Sequence, residues 1–187
     1  IMIAGKPNTG KTQFMVNTGV TMLKTDPNSA LIIISNDDST FKLKTRVIAI
    51  LANITTNIAQ NPKGTIKKFN NMQERLRIQK AYDRAISEID DLTKDNRLLL
   101  LGSDIGIRTL EEVESVCAEH TESLNGKEVN KMLLVDPASK FVVNGSDKPI
   151  AVISDFLKNR IVANYGYTTI QNYVLTKVGF IKKRKTQ

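Results

Sequence analysis

Residues Gly5 to Thr12 read G-x-x-x-x-G-K-T, and this spacing constrains the chain more than any other feature. The pattern cradles phosphate when a strand precedes it and a helix follows. Ile1 to Ala4 is a short apolar run suited to a strand. Downstream, Phe14, Met15, Val20, Met22 and Leu23 recur as expected for a helix packed on a sheet. Glycines let the backbone wrap an anion, and N–H groups at a helix start attract it. The candidate nucleotide-binding set is therefore Gly5, Lys6, Pro7, Asn8, Thr9, Gly10, Lys11, Thr12 and Gln13. Lys11 is expected to reach the β- and γ-phosphates of ATP, and Thr12 to hold Mg²⁺ through its hydroxyl.

The chain starts inside a strand without a Met, which reads as a fragment of a longer protein. Its 187 residues suit one domain spanning 1–187. Hydrophobic residues make up 41% and charged residues 25%, the balance of a globular domain. The net charge of +8 favours a polyanionic partner. With no Trp and 5% aromatic residues, a broad base-stacking platform is not expected. Cys117 cannot form an internal disulfide, being the one cysteine, and its apolar helical stripe predicts a buried thiol. His120, the single histidine, lies near a helix end among glutamates and reads as solvated. Cys and His are too few for a metal cluster. The run "VIAILANI" is too short to span a bilayer, and no membrane partner is expected.

Strand and helix signals alternate along the chain. Ser29 to Ser35, "SALIIIS", reads as a strand buried on both faces. A helix follows with Leu43, Val47, Ile50, Leu51 and Ile54 on one side. "NIAQNPKGTIKKF" is polar and broken by Pro62 and Gly64, and is expected as a loop. A long amphipathic helix then carries Met72, Leu76, Ala81 or Tyr82, Ala85, Ile89 and Leu92. "RLLLLG" and "KMLLVD" read as further strands, and between them Thr109 and Glu112 form a capping box. "IAVISDFLKNRIVAN" predicts a helix, and "YTTIQNYVLTK" and "VGFIKK" predict late strands. The expected fold is α/β, with a mainly parallel central sheet flanked by helices. Ligands in such folds sit beyond the carboxyl ends of strands.

Two groups of acids fall at that edge. Asp136 closes "KMLLVD" and fits a Walker B acid that holds Mg²⁺. Asp37 and Asp38 follow the buried strand. One could serve as general base toward water on the γ-phosphate, while Asp38 or Ser39 caps the next helix.

An acid after the second strand is the arrangement of RecA-like ATPases. "LIIISNDDSTFKLKTRVIAILANI" resembles the segment of DnaB-type and RepA-type hexameric helicases where a strand ends in Ser-x-acid before an Arg-bearing helix. "RLLLLGSDIGIRTLEEVESVCAEH", "LLVDPASKF" and "ISDFLKN" resemble the segments that follow. The resemblance implies a RecA-like P-loop NTPase. It places Asp37 at the catalytic Glu, one methylene shorter, and Arg46 at the helix Arg. It leaves Gln171, Asn172 and Thr176 as competing polar sensors. It implies that "SKFVVNGSDKP" lines a DNA channel, with Lys140 or Lys148, or both, on phosphate. In "FIKKRKTQ" it implies an arginine finger acting in trans, Arg184, supported by Lys182.

The function so implied is an ATP-driven helicase or translocase motor on single-stranded DNA. It would act as a homo-oligomer, a hexameric ring, in the cytoplasm or on the nucleoid. A RecA-like recombination or strand-annealing ATPase, or a ring subunit with weak hydrolysis, are the alternatives. The stretch between "NYVLTK" and the basic tail is shorter than in most members of the resembling family.

Overall fold

A computed structural model describes residues 1–6, 8–143 and 148–174. Among these, five strands form one parallel sheet: β1 (Met2–Gly5), β2 (Ser29–Ser35), β3 (Leu98–Leu101), β4 (Asn130–Asp136) and β5 (Tyr167–Val174). Their order across the sheet is β1-β5-β4-β2-β3. The α/β expectation holds, and β5 is interposed between the strand of the glycine loop and the strand ending in Asp136.

Helices cover both faces. On one side lie α1 (Lys11–Thr25), α2 (Thr40–Ala52) and α5 (Met72–Lys94), meeting Leu31, Ile33 and Leu134. On the other, α6 (Leu110–Ser123) and α7 (Pro149–Phe156) meet Ile32, Ile34, Leu133 and Val135. Every residue of β2 is buried, which explains why its sequence is continuously apolar rather than alternating. Helix α7 continues through a wider turn, Leu157–Val162, where hydrogen bonding shifts to the π pattern.

Residues 55–66 differ from the expected loop. They form two short helices, α3 (Thr56–Gln60) and α4 (Pro62–Ile66). Thr55 accepts from the Ile58 N–H at 3.4 Å, and Asn61 from the Gly64 N–H at 3.0 Å. Pro62 stands in the first turn, where its missing N–H costs nothing. What looked like a breaker is a start. Ile58 and Ile66 then pack on Ile78 of α5.

The stripe of α5 also differs at its first turn. The buried line runs Ile78, Ala85, Ile89, Leu92, whereas Met72 and Leu76 are exposed. Residues two apart on a helix point about 200° apart, so Leu76 cannot share the face of Ile78. After α7 comes the short α8 (Ala163–Tyr165), leading into β5.

His120 is not solvated. It is 5% exposed, with Nδ1 2.7 Å from the Tyr167 hydroxyl and Nε2 2.8 Å from the Asn96 carbonyl. A carbonyl only accepts, so Nε2 carries the proton and Nδ1 accepts from Tyr167. Burial pushes the imidazole pKa below its ordinary value, opposed by the Asn96 bond and reinforced by nearby Lys131. A depressed histidine lets the unfolded chain bind its proton first as pH falls, so stability should drop below about pH 6.5. Urea midpoints should therefore fall between about pH 7.5 and 5.5, and this slope should flatten in His120→Gln. Asp26, Asp104 and Glu112 have lowered pKa values and lose their contribution only in a more acidic window, below about pH 4. Cys117 is fully buried as expected, its thiol pushed up to about 12 by burial.

Candidate nucleotide site

The site is built where β1, β2, β4 and β5 end. The loop after β1 turns at Asn8 and Gly10, with φ of 59° and 81°. Glycine adopts this left-handed backbone without penalty, and Asn tolerates it better than most. Such reversals let successive N–H groups converge on an anion. Helix α1 begins at Lys11 with no side-chain cap and no acid in its first turn. By contrast, α2 and α6 are capped by Ser39 and Thr109. The first-turn N–H groups of α1 thus keep their hydrogen-bonding capacity and partial positive charge for an anion.

Lys11 folds back over this loop. Its Nζ donates to the Gly5 carbonyl at 3.0 Å, to the Lys6 carbonyl, and to Thr9 Oγ1 at 3.4 Å. Thr9 in turn donates to the Lys6 carbonyl at 2.9 Å. The loop and the strand ends enclose a cleft of about 510 Å³, a size suited to a small-molecule ligand. Its walls include Thr12, Gln13, Asp37, Arg46, Asp136 and Asn172.

Strand register sets the acids. Ser35 pairs with Asp136 across β2 and β4, so Asp37 projects beyond Asp136 at the same sheet edge. The Asn36 N–H donates to the Asp136 carbonyl at 2.8 Å. Asp136 is 5% exposed, and its carboxylate accepts from Asn172 Nδ2. Asn172 Oδ1 is buried and has no partner among the described residues.

Three polar residues competed for a place beside the nucleotide, and the pleat separates two of them. Asn172 lines the cleft. Gln171 lies on the opposite face of β5, accepting from Ser154 Oγ at 3.2 Å and Tyr173 Oη at 2.8 Å. Thr176, like Pro7, Lys182 and Arg184, lies outside the described residues.

The adjacent acids have different surroundings. Asp38 receives Arg46 Nε at 3.0 Å and Nη2 at 2.9 Å, and Arg46 Nη1 donates to Gln13 at 3.4 Å. Arg46 therefore links α2 to Gln13 of the glycine-loop helix, and Asp38 holds Arg46 in place. Asp37 accepts from Lys140 Nζ, and both side chains are about half exposed, at 47% and 50%. Ser39, not Asp38, caps α2. Lys148 stands at the start of α7.

A clasp holds the acid-bearing turn from outside. Thr40 donates to Asp104 Oδ1 through its N–H at 2.7 Å and its hydroxyl at 3.0 Å. The Ser103 N–H donates to the Asp38 carbonyl at 2.9 Å, and the Gly102 N–H to Thr40 Oγ1 at 3.1 Å. Sequence reasoning missed this clasp, since nothing local in "GSD" marks it. A Cβ on Gly102 would stand 2.0 Å from the Thr40 nitrogen and 2.3 Å from the Ser39 carbonyl carbon. Both are backbone atoms that cannot swing aside. Gly102→Ala should lower stability by about 3 kcal/mol, the upper end for an added methyl in a packed site, read as a reduced urea midpoint.

The residues also fit a metal that arrives with phosphate. Among the described residues no cluster of three or more His, Cys, Asp or Glu could cage a resident ion. Magnesium instead takes one or two protein oxygens and completes its shell with phosphate and water. The Thr12 hydroxyl and the Asp136 carboxylate line the same cleft and suit that role.

No protein-family model and no curated protein matches the sequence. Solved structures do match in fold. One, described as an ATPase domain, is similar with a TM-score of 0.73 at 16% identity, covering 100% of this chain. A DnaB-like replicative helicase, solved with attention to its interactions with primase, is similar with a TM-score of 0.72 at 18% identity, covering 94% of this chain. This chain spans 60% and 38% of the lengths of those two chains. No helix among the described residues is long and apolar enough to cross a membrane. With its parallel sheet, its glycine loop and these neighbours, the chain has the RecA-like α/β fold of the DnaB-like helicase ATPase domains.

Proposed function

We propose that this chain is the ATPase motor domain of a hexameric, DnaB-like helicase or translocase acting on single-stranded DNA. One observation carries the reading: a single cleft at the strand ends gathers the glycine loop, Lys11, Thr12, Asp37, Asp136 and Asn172. In this reading the loop N–H groups and Lys11 bind the β- and γ-phosphates of ATP. Thr12 and Asp136 hold Mg²⁺, which when bound draws charge from the phosphate oxygens. Asn172 fixes the Asp136 carboxylate through its amide. Asp37 orients a water and accepts its proton. Arg184, supported by Lys182, would complete a neighbouring subunit's site, and Lys140 or Lys148 would meet the DNA backbone.

A second reading is a ring subunit that binds nucleotide and hydrolyses it weakly. The ion pair on Asp37 and its short side chain favour it. Turnover of Mg-ATP with and without oligo(dT), measured alongside oligomer mass, tests both. A motor should form a closed oligomer and hydrolyse faster with oligo(dT). A nucleotide-loaded oligomer with no turnover in either condition would replace the first reading by the second.

A further inference from the structure

The contact between Lys140 and Asp37 joins two places that lie 103 residues apart in the chain. Asp37 stands at the exit of β2 and faces the cleft. Lys140 ends the 3-10 turn Ala138–Lys140 that follows β4 and Asp136. Its ammonium lies on one carboxylate oxygen of Asp37. While it holds that oxygen, the ammonium fixes the direction in which the carboxylate faces and takes one of the acceptor positions a water could use. Asp38, one residue on, is held by Arg46 through Oδ2 at 2.9 Å, which fixes its carboxylate toward α2.

Lys140 is also half exposed, so its ammonium can be reached from solvent by another anion. The chain carries a net charge of +8, which draws polyanions to its surface. A phosphodiester is a harder competitor than water for a lysine.

From this geometry we infer that Lys140 is a positioning residue that restrains Asp37, and that single-stranded DNA relieves the restraint by taking the ammonium onto a phosphate. The inference rests on the proposed function and concerns the regulation of that same site. Lys140 is then a coupling residue with two alternative anionic partners, rather than a DNA contact alone. The magnitude follows from exposure. An ion pair open to solvent biases its partners by no more than about fivefold, and salt weakens it further.

The test compares Mg-ATP turnover by wild type, Lys140→Ala and Lys140→Arg, each with and without oligo(dT). Lys140→Ala should raise the basal rate by about two- to fivefold. Its stimulation by oligo(dT) should shrink by the same factor. Lys140→Arg, which keeps the cation, should retain both the low basal rate and the stimulation. Wild-type basal turnover should climb with ionic strength toward the Lys140→Ala value. A Lys140→Ala protein with a basal rate at or below wild type, or with an undiminished stimulation ratio, overturns the inference while leaving the motor reading intact. A wild type that binds Mg-ATP but never hydrolyses it overturns the motor reading first, and the inference with it. Equal thermal midpoints for the three proteins exclude misfolding as the source of any difference.

Discussion

Lys11→Ala is expected to bind Mg-ATP poorly and to turn it over at least about a hundredfold more slowly, the loss seen when one well-placed donor to developing charge is removed. Two roles disappear together. The ammonium would stabilise negative charge on the β- and γ-phosphates, and no other cation of the described residues lines the glycine loop's end of the cleft except Arg46, which is committed to Asp38. The same Nζ joins the carbonyls of Gly5 and Lys6 to Thr9, so alanine also loosens the cradle. Fold stability should change little, because Lys11 anchors no apolar core. Titration with a fluorescent ATP analogue and a steady-state assay read the two roles separately. Wild-type turnover in this variant would end the nucleotide assignment.

Asp37→Asn should separate binding from chemistry. The amide keeps the size of the carboxylate and can still accept a hydrogen bond, but it cannot take a proton from water. General-base removal costs about 10²- to 10⁴-fold, so hydrolysis should fall by that order while analogue affinity stays near wild type. Asp38→Asn should behave differently. It weakens the link from Arg46 to Gln13, and its main signature should be a lower thermal midpoint. If Asp38→Asn instead stops turnover while Asp37→Asn does not, the base is Asp38, acting through Oδ1 while Arg46 holds Oδ2.

Much of this site was legible because its signals are local. The glycine loop is written in consecutive residues. β2 and β4 announce themselves as apolar runs ending in polar residues, and the Thr109 cap lies beside its helix. What stayed hidden depends on register or distance. Separating Gln171 from Asn172 required knowing which face of β5 meets the cleft. The Asp104 bond to Thr40 spans 64 residues and follows from β3 pairing with β2 at the sheet edge. His120 misled because its sequence neighbours are acidic, whereas its spatial neighbours are Tyr167 and the Asn96 carbonyl. Pro62 misled because proline both ends and begins helices, and only the Asn61 cap distinguishes the two. Met72 and Leu76 are apolar without being core, since the face of α5 that packs was set by α2, α4 and β3.

The clasp at Gly102–Asp104 has a consequence in time. It pins the backbone of residues 38–40 by hydrogen bonds to the exit of β3, next to Asp37. With that backbone held, the motion left to Asp37 is rotation of its own short side chain. Half-exposed side chains change rotamer in picoseconds to nanoseconds. Enzymes typically turn over about ten times per second. The carboxylate therefore samples Lys140 and water many millions of times within one catalytic cycle. A contact exchanging that fast cannot act as a latch that opens once per event. Under the proposed restraint it would set the fraction of time for which the acid is turned toward a water. The rate should then follow the occupancy of the DNA smoothly, like a dimmer rather than a trigger.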